Sequence, residues 1–390
     1  MQGNFTYANP TTLHFGQEAM TNLCPELSAY GDNILLVYGG GSIKDNGLYD
    51  SVIQLLTSAG KTITEDPGVM PNPTVDKLRA GIDIARGANI DFVLAVGGGS
   101  VVDYAKALAV GIHATGDVWE RFFVNQESPT EAVVPMGCIL TMAGTGSEMN
   151  GGSVITHPAS QIKRGKVFGV EAYPKFAILN PVYTYTLPIY QVRAGIFDVM
   201  SHLMEQYFSG QDDNVSDYMN EGLMRAVVAT GPQVMADPLS YDARANLMWS
   251  ATWALNTLLG KGKTGDWMMH MFGHAIGGVT DATHGMALSA VVLSYYRLLL
   301  PHGLAKFKRF AITVWQVDAT GKTDEEVATQ GLAALEAWMK EMGLVMNSRE
   351  LGVTEDNVDI IAANVALRTG GYKVLNPEEI KAVLVASMGA

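Results

Sequence analysis

Two pairs of side chains at helical spacing could do chemistry together in this chain. Asp198 and His202 stand four apart in the apolar stretch GIFDVMSHLMEQY, so both project from one helix face. His270 and His274 repeat that spacing in HMFGHAIGG, and His284 follows in DATHG. These imidazoles lie among Met, Phe and Ile, where an unsatisfied polar ring is costly to bury. One core histidine can be satisfied by a carbonyl. Three within fifteen residues, with an Asp–His pair elsewhere, are better explained by a shared metal ion. Three imidazoles and a carboxylate suit Fe²⁺ or Zn²⁺, whereas Mg²⁺ and Ca²⁺ prefer oxygen. Spacing leaves open which three of His202, His270, His274 and His284 are ligands.

Three glycine turns offer a second kind of chemistry. Gly97, Gly98, Gly99 and Ser100 close the apolar run Phe92–Val96 and open a helical stretch. A strand-to-helix turn of this kind presents free N–H groups and a helix dipole to a phosphate, although it departs from the G-x-G-x-x-G fingerprint. Gly39, Gly40, Gly41 and Ser42 follow an earlier apolar run, with Lys44 close behind. NAD-binding folds often carry an acid there for the ribose hydroxyls. Its absence, with Ser and Lys as donors, favours NADP(H). The third turn is Thr141–Ser147, where Thr141, Thr145 and Ser147 surround glycines. Any one of these is also what a tight connection requires; three at strand ends point to a dinucleotide.

The elements that must position these groups fall into two textures. Up to about residue 180, short apolar runs (Ile34–Tyr38, Phe92–Val96, Val133–Leu140, Phe176–Leu179) alternate with helical spacing at Leu48–Ser58, Val75–Arg86 and Val101–Val110. That alternation predicts a mostly parallel α/β sheet covered by helices. After Pro188 come long Met-, Ala- and Leu-rich helical segments: Tyr190–Phe208, Asp217–Met235, Tyr241–Leu259, Asp266–Gly277 and Gly285–Leu300, then amphipathic helices over Thr323–Ala390. The expectation is an α/β dinucleotide-binding domain over residues 1–184 and an all-α metal-binding domain over 185–390, with the boundary in Asn180–Pro188.

The net charge of −13 and pI near 5.0 speak against nucleic-acid or anionic-membrane binding. Only two cysteines, Cys24 and Cys138, no charged-then-apolar leader and no apolar run of spanning length lead to an expected cytoplasmic protein.

In GGGSVVDYAKA (97–107), TMAGTGSE (141–148), GIFDVMSHLMEQY (195–207) and HMFGHAIGGVTDATHG (270–285), the chain resembles the iron-containing (group III) alcohol dehydrogenases. Within them it is most similar to the NADPH-dependent butanol dehydrogenase and aldehyde reductase branch. The resemblance runs from FTYANPTTLHFG to the last helices. It implies the fold shared with dehydroquinate synthase and glycerol dehydrogenase, with the active site between the two domains. It assigns Asp198, His202, His270 and His284 as metal ligands and leaves His274 as a proton-handling residue near the nicotinamide. It gives the pyrophosphate to Gly97–Ser100 and Asp103, and the cofactor path to Thr141, Thr145 and Ser147. Asn150, Lys163 and Tyr183 match cofactor-site positions, and Asn72 matches an adenosine-side contact. YGGGSIK at 38–44 replaces the acidic turn of NAD-using members, which again favours NADP.

The expected reaction is hydride transfer between NADP(H) and a small alcohol or aldehyde, with the metal as Lewis acid. Trp253, Trp267, Met268 and Phe272 suggest an apolar pocket for short aliphatic substrates. The resemblance also implies a homodimer joined through Phe5–Phe15. A lyase of the dehydroquinate synthase type would carry Glu in place of Asp198 and more basic residues than Lys261 and Lys263. A metal-stabilised helical protein without activity would have no companion cofactor site.

Overall fold

The computed structural model describes residues 4–210 and 214–389. Residues 8–188 form one compact unit, and residues from Ile189 onward belong to a second.

The first unit carries strands β1 (Thr12–Phe15), β2 (Asn33–Tyr38), β3 (Thr62–Asp66), β4 (Phe92–Gly97), β5 (Met136–Leu140), β6 (Gly152–His157), β7 (Ile162–Val167) and β8 (Phe176–Leu179). Six form an all-parallel sheet in the order β1-β8-β5-β4-β2-β3. Its helices are α1 (Leu23–Leu27), α2 (Ser42–Asp45), α3 (Leu48–Ser58), α4 (Val75–Gly87) and α5 (Gly99–Gly111). β4, β5 and β8 are buried throughout, as is β2 after Asn33. They read as continuous Val/Ile/Leu runs because both sheet faces are covered. The expected parallel α/β unit is therefore what forms.

The strands absent from the sequence reading are those lacking such a run. β1 lies at one sheet edge and β3, TITED, at the other, where half-exposed positions tolerate polar residues. The weakly patterned stretch around Lys163 folds as the antiparallel hairpin β6–β7.

Parallel pairing has a direct consequence for the glycine turns. Tyr38 is in register with Val96, and Gly97 with Leu140. The turns that follow β2, β4 and β5 therefore emerge on the same edge of the sheet, where open α/β folds bind ligands.

The second unit is helical: α6 (Ile189–Tyr207), α7 (Val215–Ala236), α8 (Tyr241–Ala254), α9 (Met268–Thr280), α10 (His284–Leu299), α11 (Leu304–Thr313), α12 (Asp324–Glu341), α13 (Val358–Asn364) and α14 (Pro377–Ser387). α8 stops five residues before the expected Leu259. Asn256 begins a glycine-rich stretch through Gly265, and Thr257 takes a left-handed φ of 72°. α9 likewise starts at Met268 and not Asp266, because Trp267 is left-handed at φ 60°. Among the described residues, no helix is long and apolar enough to cross a membrane.

Candidate functional site

In the helical unit, α6 presents Asp198, His202 and Glu205 on one face, at spacings of four and then three residues. α9 supplies His270 and His274, and His284 opens α10. The three helices meet so closely that a Cβ on Gly285 would stand 2.1 Å from the Ala194 carbonyl oxygen of α6. Only glycine permits that approach, which brings the start of α10 against α6.

The donors converge on one carboxylate oxygen. Asp198 Oδ1 lies 3.6 Å from His202 Nε2, 3.8 Å from His270 Nε2 and 3.7 Å from His284 Nε2. Asp198, His202 and His270 are buried, and their donor atoms lie within 4.8 Å of one another. These separations are too long for good hydrogen bonds. They come within about 0.2 Å of the edge of a coordination polyhedron, since donors about 2.0–2.2 Å from a tetrahedral ion stand about 3.3–3.6 Å apart. Burial, and then neighbouring His270, hold the His202 imidazole well below its ordinary pKa, so it is neutral. That is the form a metal takes. The donor set thus fits one divalent cation. The His274 ring lies 5.3 Å from that of His284 and 6.3 Å from that of His270.

Sequence reasoning missed Glu205. Its fully buried carboxylate is bonded through Oε2 to His270 Nδ1, while Oε1 accepts from Met269 N at 2.6 Å. The available signal was its place one turn after His202, as an acid inside an apolar helix.

In the α/β unit, the second and third turns interlock. A Cβ on Gly99 would meet the Thr145 side chain at 2.3 Å, and one on Gly98 would stand 3.2 Å from Met142. Thr141 N donates to the Gly97 carbonyl, and Ser147 N donates to Thr145 Oγ1. No side chain caps the N-terminus of α5, so Gly98, Gly99 and Ser100 can receive a phosphate on backbone N–H groups. The Asp103 carboxylate accepts from Ser147 Oγ at 2.5 Å and Val154 N at 3.0 Å, so it holds the third turn in place. Lys163 Nζ donates to Asn72 Oδ1 at 2.6 Å, joining residues 91 positions apart. Asn72 is left-handed at φ 55° between its two prolines. Tyr183 packs against the core cluster that contains Tyr38 and Ile43.

At the first turn, Gly40 and Gly41 have open space beside them, and Gly41 has a φ of 125°. The turn itself has no acid, but β3 brings one alongside. Glu65 accepts from Tyr38 at 2.6 Å and Tyr49 at 3.0 Å. Lys44 Nζ lies 4.5 Å over the Tyr49 ring and 5.1 Å over that of Tyr38.

Lys106, fully buried on α5, donates to Ser147 Oγ at 2.7 Å, Asn150 Oδ1 at 3.1 Å and the Gly152 carbonyl at 2.8 Å. Burial pulls its pKa down to about 8, with Asp103 the largest opposing influence. An unfolded lysine titrates near about 10.4, so between about 8 and 10.4 the unfolded chain holds more protons. Stability should therefore rise with pH across that window, by at most about 3 kcal/mol, as the cost of the buried charge is relieved. Lys106→Met should flatten that rise in urea unfolding from pH 7.5 to 10; an unchanged slope would assign it to another group.

A parallel sheet with three glycine turns on one edge, and a helical unit gathering three imidazoles about a carboxylate, define a class: the metal-dependent dehydrogenases of two-unit architecture. The chain belongs to the iron-containing alcohol dehydrogenase family. The profile described as "Iron-containing alcohol dehydrogenase" matches residues 10–181, and that of "Fe-containing alcohol dehydrogenase family, C-terminal" matches 192–388. The chain is 41% identical to the "Probable NADH-dependent butanol dehydrogenase 1" of Bacillus subtilis, over 99% of this chain and all of that one. It is 33% identical to the "NADPH-dependent aldehyde reductase YqhD" of Escherichia coli, over 91% of each. The crystal structure of NADH-dependent butanol dehydrogenase A from Thermotoga maritima superposes with a TM-score of 0.94 at 33% identity, covering 99% of both chains. The protein is thus an oxidoreductase of the alcohol dehydrogenase and aldehyde reductase kind. Membership implies a nicotinamide cofactor and a metal, which the family's description gives as iron.

Proposed function

We propose that this chain is an iron- and NADP(H)-dependent dehydrogenase that interconverts short aliphatic alcohols and aldehydes, with Asp198, His202, His270 and His284 as ligands of the metal. The observation that carries this reading is the convergence of three imidazole Nε2 atoms within 3.8 Å of one carboxylate oxygen. When bound, the metal supplies a Lewis acid that stabilises negative charge on a substrate oxygen, and the nicotinamide supplies or accepts hydride. His274 holds or passes the proton of the alcohol. Gly97–Ser100 receive the pyrophosphate, with Asp103 acting through Ser147. Thr141, Thr145, Ser147 and Asn150 line the cofactor path, while Asn72, Lys163 and Tyr183 support its binding.

The preference for NADP(H) rests on the first turn. Gly40 and Gly41 leave room for a 2′-phosphate, Lys44 adds a cation, and two tyrosine hydroxyls occupy the Glu65 carboxylate. The relatives' names divide between NADH and NADPH. Exposed Phe5 and Phe15 and the edge strand β1 favour a homodimer, and free Cys24 and Cys138 favour a reducing cytoplasm.

The test is elemental analysis of the purified protein, with NADPH and NADH oxidation measured over C2 to C8 aldehydes. Stoichiometric iron and a higher kcat/KM with NADPH are expected. A preference for NADH would overturn the cofactor assignment, and inactivity towards every aldehyde would overturn the substrate class.

A further inference from the structure

α9 begins with a problem that α6 solves. Its N-cap, Trp267, is left-handed and makes no side-chain cap bond, and Asp266 takes only the Met268 N–H, so the next two N–H groups need an acceptor from elsewhere. Glu205, reaching across from α6, takes that place. Its Oε1 accepts from Met269 N at 2.6 Å and His270 N at 3.3 Å. Its Oε2 bonds His270 Nδ1, and its own carbonyl accepts from Asp266 N at 2.9 Å. Asp266 is held in turn by the Tyr295 hydroxyl at 2.7 Å. Glu205 is fully buried, so its carboxylate cannot satisfy itself with solvent.

We propose that Glu205 is a positioning residue of the metal centre: it caps α9 from α6 and forces the His270 proton onto Nδ1, so that Nε2, which faces Asp198, is the nitrogen able to ligate. This inference rests on the metal-centre reading above. A carboxylate has only acceptor sites, so the ring nitrogen it meets must be the donor. A neutral imidazole carries one proton, and placing it on Nδ1 leaves Nε2 able to ligate.

Glutamine at 205 separates capping from tautomer selection. With its oxygen kept on the two backbone N–H groups, its NH₂ faces His270 Nδ1 as a donor. The imidazole must then accept at Nδ1 and carry its proton on Nε2, where it cannot bind metal. Flipping the amide restores the acceptor to His270 but turns the NH₂ onto two N–H donors. Neither orientation serves both partners.

Full-length E205Q is expected to keep the wild-type circular dichroism and to bind Fe²⁺ about 10–100-fold more weakly, in anaerobic competition against a chromogenic chelator. In the metal-free, full-length wild type, where no ion dictates the tautomer, histidine-selective ¹⁵N NMR should place the His270 proton on Nδ1. This second measurement decides the matter even if E205Q does not fold. Wild-type Fe²⁺ affinity in a folded E205Q, or a His270 proton on Nε2 in the wild type, would overturn the proposal. A wild-type protein that binds metal no better than Asp198→Ala would instead overturn the metal reading beneath it.

Discussion

Asp198→Ala is expected to purify without iron and to show no measurable turnover. Asp198 Oδ1 is the atom on which His202, His270 and His284 converge, at 3.6–3.8 Å. Removing it takes away the carboxylate on which the three imidazoles converge in a buried setting, where its charge offsets much of the cost of desolvating a cation. The loss should exceed the about 10–100-fold typical of an outer partner of a ligand. Stability reports the same event without any assay of activity. A metal at a hundredfold excess over its Kd stabilises the native state by about 2.7 kcal/mol. Chelation should therefore lower the wild-type Tm and leave that of Asp198→Ala unmoved. Stoichiometric iron in the variant would show that another set of residues holds the ion.

The second large effect is expected at His274, and it is of a different kind. His274→Ala should lower turnover by about 10²–10⁴-fold, the range for removing a general acid or base. It should retain stoichiometric iron. His274 lies one turn beyond His270 on α9, its ring 5.3 Å from that of His284. It is therefore beside the donor cluster, while the three Nε2 atoms that meet Asp198 belong to other residues. Elemental analysis beside steady-state kinetics separates the two roles. Loss of iron on this change would make His274 a ligand.

Much of this architecture is legible in the sequence. β2, β4, β5 and β8 are buried on both faces and so are written as unbroken apolar runs, while Asp198–His202 and His270–His274 declare shared helix faces by spacing alone. Edge strands β1 and β3 and the hairpin β6–β7 are not legible, because half-exposed strands carry no comparable constraint on residue type. The early end of α8 and late start of α9 turn on left-handed residues such as Thr257 and Trp267, whose side chains do not advertise that backbone.

The sequence by itself determined which residues could act: a carboxylate and four imidazoles at helical spacing, and three glycine turns after apolar runs. It could do so because side-chain chemistry and local periodicity are properties of the chain. Only the tertiary structure decided which of them meet. His284 joins Asp198 because Gly285 lets α10 approach the α6 backbone, and Lys163 reaches Asn72 because β7 folds back on β6. Glu65 comes beside the first glycine turn, and Glu205 comes to cap α9, through strand and helix pairings between distant segments. Such contacts are set by packing between elements, which leaves no periodic trace in any one of them.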